Sequence, residues 1–131
     1  MDSTLSLKRA EFKQALATVA ELLDKPTSDV IRDAIIKRFE YSFDVGWKTA
    51  KLFLRERFGA EVQAPKTCFR ELRRNELISD GDTEACLQMV DDRNAIVHTY
   101  GRQMADEIAK KIRGGYADLL QQLTTVVENN G

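Results

Sequence analysis

The run IRDAIIKRFEYSFDVGWKTAKLFL, from Ile31 to Leu54, decides the architecture of this chain. Ile31, Ile35, Phe39, Phe43, Gly46, Ala50, Phe53 and Leu54 recur at the spacing of one face of an α-helix. Trp47 and Ile36 stand at the margin of that face, and Asp33, Lys37, Glu40, Asp44, Lys48, Lys51 and Arg55 cover the opposite side. A stripe this wide implies contact with more than one neighbouring helix. Gly46 lies within it and would let another helix approach closely, at a propensity cost of about 1 kcal/mol relative to alanine. The pattern predicts one long helix over residues 29–57.

Outward from this helix the same period continues. Leu5, Phe12, Leu16, Val19 and Leu23 form the stripe of a first helix over 4–24, and Lys25-Pro26-Thr27-Ser28 is a turn with a ready N-cap. After a loop from Gly59 to Pro65, a short helix over 66–76 carries Arg70, Arg73 and Arg74. Ser79-Asp80-Gly81-Asp82 is turn chemistry followed by an N-cap, and a further long helix is expected over 83–100, with Gly101 at its C′ position. The last helix, over 103–127, has the stripe Met104, Ile108, Ile112, Leu119, Leu123 and Val126. Gly114-Gly115 falls inside it and should mark a close contact or a bend. Four long amphipathic helices on short connections give an all-α fold, an antiparallel up-and-down four-helix bundle with one additional short helix.

Bulk composition agrees. The 131 residues are the size of a single domain, 1–131, and 43% hydrophobic against 31% charged residues supports a core rather than disorder. Seven glycines and two prolines favour long helices over strands and turns. Twenty basic and twenty-one acidic residues leave a formal charge of -1, which disfavours a uniformly basic nucleic-acid surface while allowing a local basic groove. Cys68 and Cys86 form no CxxC pair, and with one histidine no zinc ligand set assembles from His and Cys in a monomer, so no metal is expected. The two thiols are expected to be reduced and partly buried. The chain lacks a Gly-rich phosphate loop, a GxSxG elbow and an HExxH pair, and no cofactor is implied. No apolar run approaches membrane-spanning length and Met1 to Lys8 lacks a signal-like core, so a cytoplasmic protein with no membrane contact is expected.

The one histidine lies in Arg93-Asn94-Ala95-Ile96-Val97-His98-Thr99-Tyr100. On a helical wheel Cys86, Met89, Val90, Ile96 and Val97 define the apolar arc, Arg93 falls in its middle, and Asp91, Asn94 and His98 form a flanking stripe. A guanidinium in an apolar arc must be paired or sit at the edge of a groove. One arrangement is structural: the arginine bonds a carboxylate on another helix beside a satisfied histidine. The other is a site, because a broken local rule is expected where function lies. Attack of a ribose 2′-OH on the adjacent phosphate needs a base, an acid and a cation. Histidine transfers protons near neutrality, and arginine grips phosphate oxygens through a planar fork. One histidine cannot easily serve as both base and acid, so a homodimer with two motif helices near its two-fold axis would supply the second. Tyr100, next to Gly101, is a phenol at a helix end that a second enzyme could reach. Arg70, Arg73 and Arg74 read either as a solvated face or as a contact for RNA or a partner.

These residues resemble the Arg-X4-His-X-Tyr signature of the HEPN superfamily. The chain is similar above all to its nucleotidyltransferase-substrate-binding type, through Ile31-Arg32-Asp33-Ala34, Arg38-Phe39-Glu40-Tyr41-Ser42-Phe43, Trp47-Lys48, Leu77-Ile78 and Met89 through Tyr100. The resemblance covers most of residues 5–125. It implies a HEPN-like dimerising bundle and a separately encoded minimal nucleotidyltransferase as partner. It further implies a metal-independent endoribonuclease toxin with Arg93 and His98 catalytic, Asn94 as polar support, and Tyr100 as the residue to which the partner antitoxin transfers AMP. The alternative it carries is a noncatalytic substrate-binding subunit of a two-component nucleotidyltransferase. Gly101-Arg102 follows the tyrosine where relatives often have an acidic residue.

Overall fold

The structure, a computed structural model, describes residues 3–96 and 101–128. It contains helices α1 (Thr4–Leu23), α2 (Asp29–Phe58), α3 (Pro65–Arg74), α4 (Asp80–Ile96), α5 (Arg102–Lys111) and α6 (Ala117–Glu128). A π-helical segment, Ile112–Tyr116, joins the last two into one rod. Among the described residues there is no strand, and no helix is long and apolar enough to cross a membrane.

The helix boundaries follow from local chemistry. Ser3, Ser28 and Ser79 each accept a bond from the backbone N–H three residues on, at 3.0–3.1 Å, satisfying a donor that a helix start leaves orphaned. Ser79 therefore starts α4 at Asp80, three residues before the expected position. Gly59 closes α2 in the left-handed conformation, with φ 65°. Pro65 opens α3, where its missing N–H costs nothing. Gly101 departs from expectation. It is extended, with φ -96° and ψ -179°, and acts as N-cap of α5 rather than as a left-handed C′ residue.

Side-chain ties show how the helices run. Along α2 the α1 partners descend: Arg38 bonds the Thr18 carbonyl, Tyr41 bonds Glu11, and Thr49 bonds the Lys8 carbonyl. α1 and α2 are thus antiparallel. Arg9 bonds the Val127 carbonyl while Arg113 bonds those of Leu23 and Lys25, so α1 also opposes the last rod. Arg32 pairs with Asp106, Arg102 with Asp29, and Phe39 stacks on Tyr116, so α2 and the last rod run parallel across the diagonal. This is the expected up-and-down four-helix bundle, with α3 as the additional short helix.

The core is aromatic at its centre. Phe12, Phe39, Phe43 and Phe69 are fully buried, and Phe39, Phe43 and Phe69 form a chain with ring centroids 6.2 and 6.4 Å apart. Gly46 is the close-approach point anticipated for α2: a Cβ there would lie 2.7 Å from two ring carbons of Phe12.

The stripe expected for the last helix needs correction. Up to Ile112 only Met104 fails: it is exposed, and Ala105 is buried instead. Beyond Ile112 Leu123 is buried as expected, but Leu119 and Val126 are only partly covered, and their following neighbours Leu120 and Val127 are buried in their place. The π segment explains the shift. Its bond from the Ala117 N–H to the Ile112 carbonyl spans five residues, which adds one residue to the turn and rotates everything after it. The same turn carries Tyr116 into the core. Gly114-Gly115 marks this irregularity rather than a close contact, since a Cβ at either glycine would meet nothing within 4 Å.

Candidate functional site

Arg93 leaves α4 one turn from the last described residue of that helix, Ile96, and reaches across to α2. Its guanidinium carbon lies 5.2 Å from the Phe43 ring centroid. The ring belongs to the buried aromatic chain, so it is a fixed floor for a planar cation. Nη1 donates to Asn94 Oδ1 at 3.2 Å, and Nη2 approaches Asp44 Oδ1 at 3.5 Å. The other oxygen of Asp44 accepts from Lys48 at 3.1 Å, so one carboxylate is divided between two cations.

The structural alternative raised by the helical wheel is therefore half realised. Arg93 does meet a carboxylate on another helix, but the pair is neither short nor buried. The Arg93 side chain is 25% exposed and that of Asp44 38%. Arg93, Asp44, Lys37, Glu40 and Tyr41 line an open cavity of about 310 Å³. Among the described residues two cations and two carboxylates balance within it. Tyr41 is 52% exposed, and its hydroxyl donates to Glu11 Oε2 at 3.0 Å. That bond to a carboxylate raises the phenol above its ordinary value, so the ring is neutral at physiological pH.

Behind Arg93 lies a second polar cluster. Asp92 Oδ2 accepts from the Tyr116 hydroxyl at 2.5 Å and from Lys111 at 3.1 Å, and Oδ1 accepts from Gln88 at 3.2 Å. Burial pushes the Asp92 carboxyl up, but the bonds from Tyr116, Lys111 and Gln88 together outweigh it and hold it below its ordinary value. Burial, and then the bond to Asp92, push the Tyr116 phenol well above its own. The Lys111 cation is already paired here, and the cluster reads as a clamp on α4.

The remaining sequence candidates separate. Asn94 is exposed beside Arg93 and supports its fork. His98 and Tyr100, together with the expected course of the helix to residue 100, lie outside the described residues. Arg70, Arg73 and Arg74 are all exposed on α3, with Arg73 paired to Asp80 at 2.8 Å and Arg74 to Glu71 at 3.5 Å. None of the three lines the Arg93 cavity. Among the described residues no group of three or more His, Cys, Asp or Glu side chains could hold a metal ion. Sequence reasoning missed Asp44, Asp92 and Tyr116 as partners. Asp44 carried no signal beyond its place on the polar side of α2. Tyr116 was hidden by the π turn, although Gly114-Gly115 pointed to its location.

Comparison with known proteins places the chain and its fold. A family model described as nucleotidyltransferase substrate binding protein like matches residues 7–129. The solved structure of ttk003001694 from Thermus thermophilus is 39% identical, with a TM-score of 0.84 over 90% of this chain and 99% of that one. The tri-AMPylated Shewanella oneidensis HEPN toxin, solved in complex with MNT antitoxin, is 18% identical, with a TM-score of 0.79 over 98% of each chain. A toxin–antitoxin solved with AMP-PNP is also 18% identical, with a TM-score of 0.78 over 97% of this chain and 99% of that one. At 18% identity the likeness is one of fold, and it agrees with the HEPN-like bundle expected from the sequence. No curated protein matches the chain.

Proposed function

We propose a function from the premise that this chain belongs to the nucleotidyltransferase substrate binding protein like family. The protein is the HEPN-type partner of a separately encoded minimal nucleotidyltransferase. It is a metal-independent endoribonuclease toxin, and the partner silences it by transferring AMP to Tyr100. The observation that carries this reading is the Arg93 fork. It rests on a fixed aromatic floor at the mouth of an open cavity, and its contact with the Asp44 carboxylate is long and shared with Lys48. An arginine needed only for packing would be covered; this one keeps a face for an anion.

In this reading Arg93 binds the oxygens of the scissile phosphate and stabilises the charge that gathers on them. His98 takes the proton from the ribose 2′-OH as the bond from O2′ to phosphorus forms. The bond to O5′ breaks, and the leaving oxygen receives a proton from His98 of a second protomer. The products are a 2′,3′-cyclic phosphate and a 5′-hydroxyl. Asn94 holds the fork. The homodimer belongs to the proposal because the chain holds one histidine and the reaction needs two proton-transfer roles. Two solved proteins of this fold support the rest, one tri-AMPylated and in complex with MNT antitoxin, the other a toxin–antitoxin with AMP-PNP. An AMP on Tyr100 would bring a phosphate and a base next to the catalytic motif and compete with RNA for it.

The deciding experiment is expression without the partner. Growth arrest with RNA cleavage, lost in both Arg93→Ala and His98→Ala and persisting in chelator, is the expected result. Intact-mass analysis after incubation with the partner, ATP and magnesium should add one or more AMP-sized increments that Tyr100→Phe removes. The Asp44 pair favours a second reading, a noncatalytic subunit that presents a substrate to the transferase, because it partly neutralises the cation. Intact RNA alongside partner activity that depends on this chain would establish that reading instead.

A further inference from the structure

We propose that Tyr41 is a nucleobase platform, its ring stacking on a base of single-stranded RNA while Arg93 and Lys37 take the phosphates on either side. This rests on the ribonuclease reading above and names the part of the substrate that the site holds. A single exposed aromatic is ordinary on a protein surface. Tyr41 differs in three ways. It lines the same cavity as Arg93, so a base on its ring sits next to the phosphate fork. It is one helical turn from Lys37 on one side and Asp44 on the other, so ring and cation face the same way. Its far end is fixed by the bond to Glu11 of α1, while its neighbours Ser42 and Phe43 are fully buried and lock the backbone beneath it. The ring is half open yet already oriented, which lowers the cost of ordering it on a ligand.

The charge balance points the same way. Lys37 and Arg93 are matched in the cavity by Glu40 and Asp44. A pure electrostatic trench would carry an excess of cations. The described lining has none and needs another source of affinity, and stacking on aromatic faces is the usual one for unpaired RNA bases. Two phosphate contacts to a single strand predict a shallow salt dependence, with a log–log slope of about -1.4.

The test uses the full-length chain and a labelled single-stranded RNA oligomer carrying 2′-fluoro sugars, which cannot undergo 2′-OH attack. Fluorescence anisotropy should show Tyr41→Ala weakening binding by about ten-fold or more, the effect of losing one stacked base. Tyr41→Phe and Tyr41→Trp, which keep a ring, should remain within about three-fold, and thermal melting should show all three folded. Equal binding by wild type and Tyr41→Ala overturns the proposal. So does a loss in Tyr41→Phe as large as in Tyr41→Ala, because the Glu11 bond and not the ring would then matter. A dimer that Tyr41→Ala splits in light scattering, with RNA affinity unchanged, also overturns it and makes the ring a contact between copies. Because the probe is uncleavable, the two ideas fail separately. Ring-dependent binding with natural RNA left intact ends the ribonuclease reading alone, and cleavage by Tyr41→Ala at the wild-type KM ends the platform alone.

Discussion

Asp44→Asn should tighten the binding of single-stranded RNA while barely changing stability. Asp44 stands 3.5 Å from the Arg93 fork and competes with a substrate phosphate for it. At that distance Coulomb's law gives about 1 kcal/mol in bulk water and about 5 kcal/mol at an effective dielectric constant of 20. With side chains 25% and 38% exposed, the pair belongs near the watery limit. Exposed pairs measured in double-mutant cycles contribute about 0.2–1 kcal/mol. Releasing the cation should therefore raise affinity for the uncleavable RNA by about 1.4- to five-fold. The gain should shrink with added salt, since the screening length falls to about 8 Å at physiological ionic strength. Asparagine keeps the shape and an acceptor for Lys48, so Tm should move by less than about 4 °C. Anisotropy titrations at two salt concentrations, with a thermal melt of the same samples, give both numbers. Weaker binding in Asp44→Asn would refute the reasoning, because Asp44 would then be holding Arg93 in its working position rather than competing for it.

Other outcomes follow from the packing. Gly46→Ala should lower stability by up to about 2 kcal/mol in urea unfolding: the new methyl would sit 2.7 Å from the Phe12 ring, and overpacking of about 1–3 kcal/mol is offset by a helix-propensity gain of about 1 kcal/mol. The Asp92 carboxyl is held below its ordinary value of 3.8, so its contribution is present above that pH and is lost as pH falls through the lower folded-state value. Melts taken from pH 5 down to pH 2 should fall more steeply for wild type than for Asp92→Asn, which has no charge to lose. Cys68 and Cys86 are buried, and burial above all pushes both thiols up to about 12. A disulfide-exchange reagent at neutral pH should leave both unlabelled until denaturant opens the bundle.

The bundle was legible in the sequence because its main signal is periodic. The α2 stripe, the Ser28 cap and Gly46 each act through residues close in sequence or through a face that any helical wheel exposes. The last helix was less legible beyond Ile112, where Leu123 held its place but Leu119 and Val126 gave way to Leu120 and Val127, because a π turn changes the period and the wheel does not register an added residue. The site was half legible. Arg93 stood out as a cation in an apolar arc, a conflict visible from α4 alone. Its partners did not, because Asp44 and Phe43 lie forty-nine and fifty residues earlier. Only the crossing of α2 and α4 brings them together. Nor could the wheel separate a buried pair from an exposed one, since that depends on how far the neighbouring helices close over it.

The two clusters on α4 are joined through the core by a chain of packed rings. Arg93 lies over Phe43, Phe43 neighbours Phe39 at 6.2 Å, and Phe39 stacks on Tyr116 at 5.9 Å with the ring planes 18° apart. Tyr116 then bonds Asp92, the residue preceding Arg93. The path leaves α4 at one residue and returns at its neighbour, crossing α2 and the π segment on the way. Adjacent residues on a helix point about 100° apart. Anchoring both therefore fixes the rotation of α4 about its own axis, which a single contact would leave free. A shift of the last rod by one residue would withdraw Tyr116 and leave the fork to its own contacts with Phe43, Asn94 and Asp44. The π turn thus has a consequence at the site, although no residue of it lines the Arg93 cavity. The π turn places Tyr116 where it can bond Asp92, the residue that precedes the one arginine on which the proposed chemistry depends.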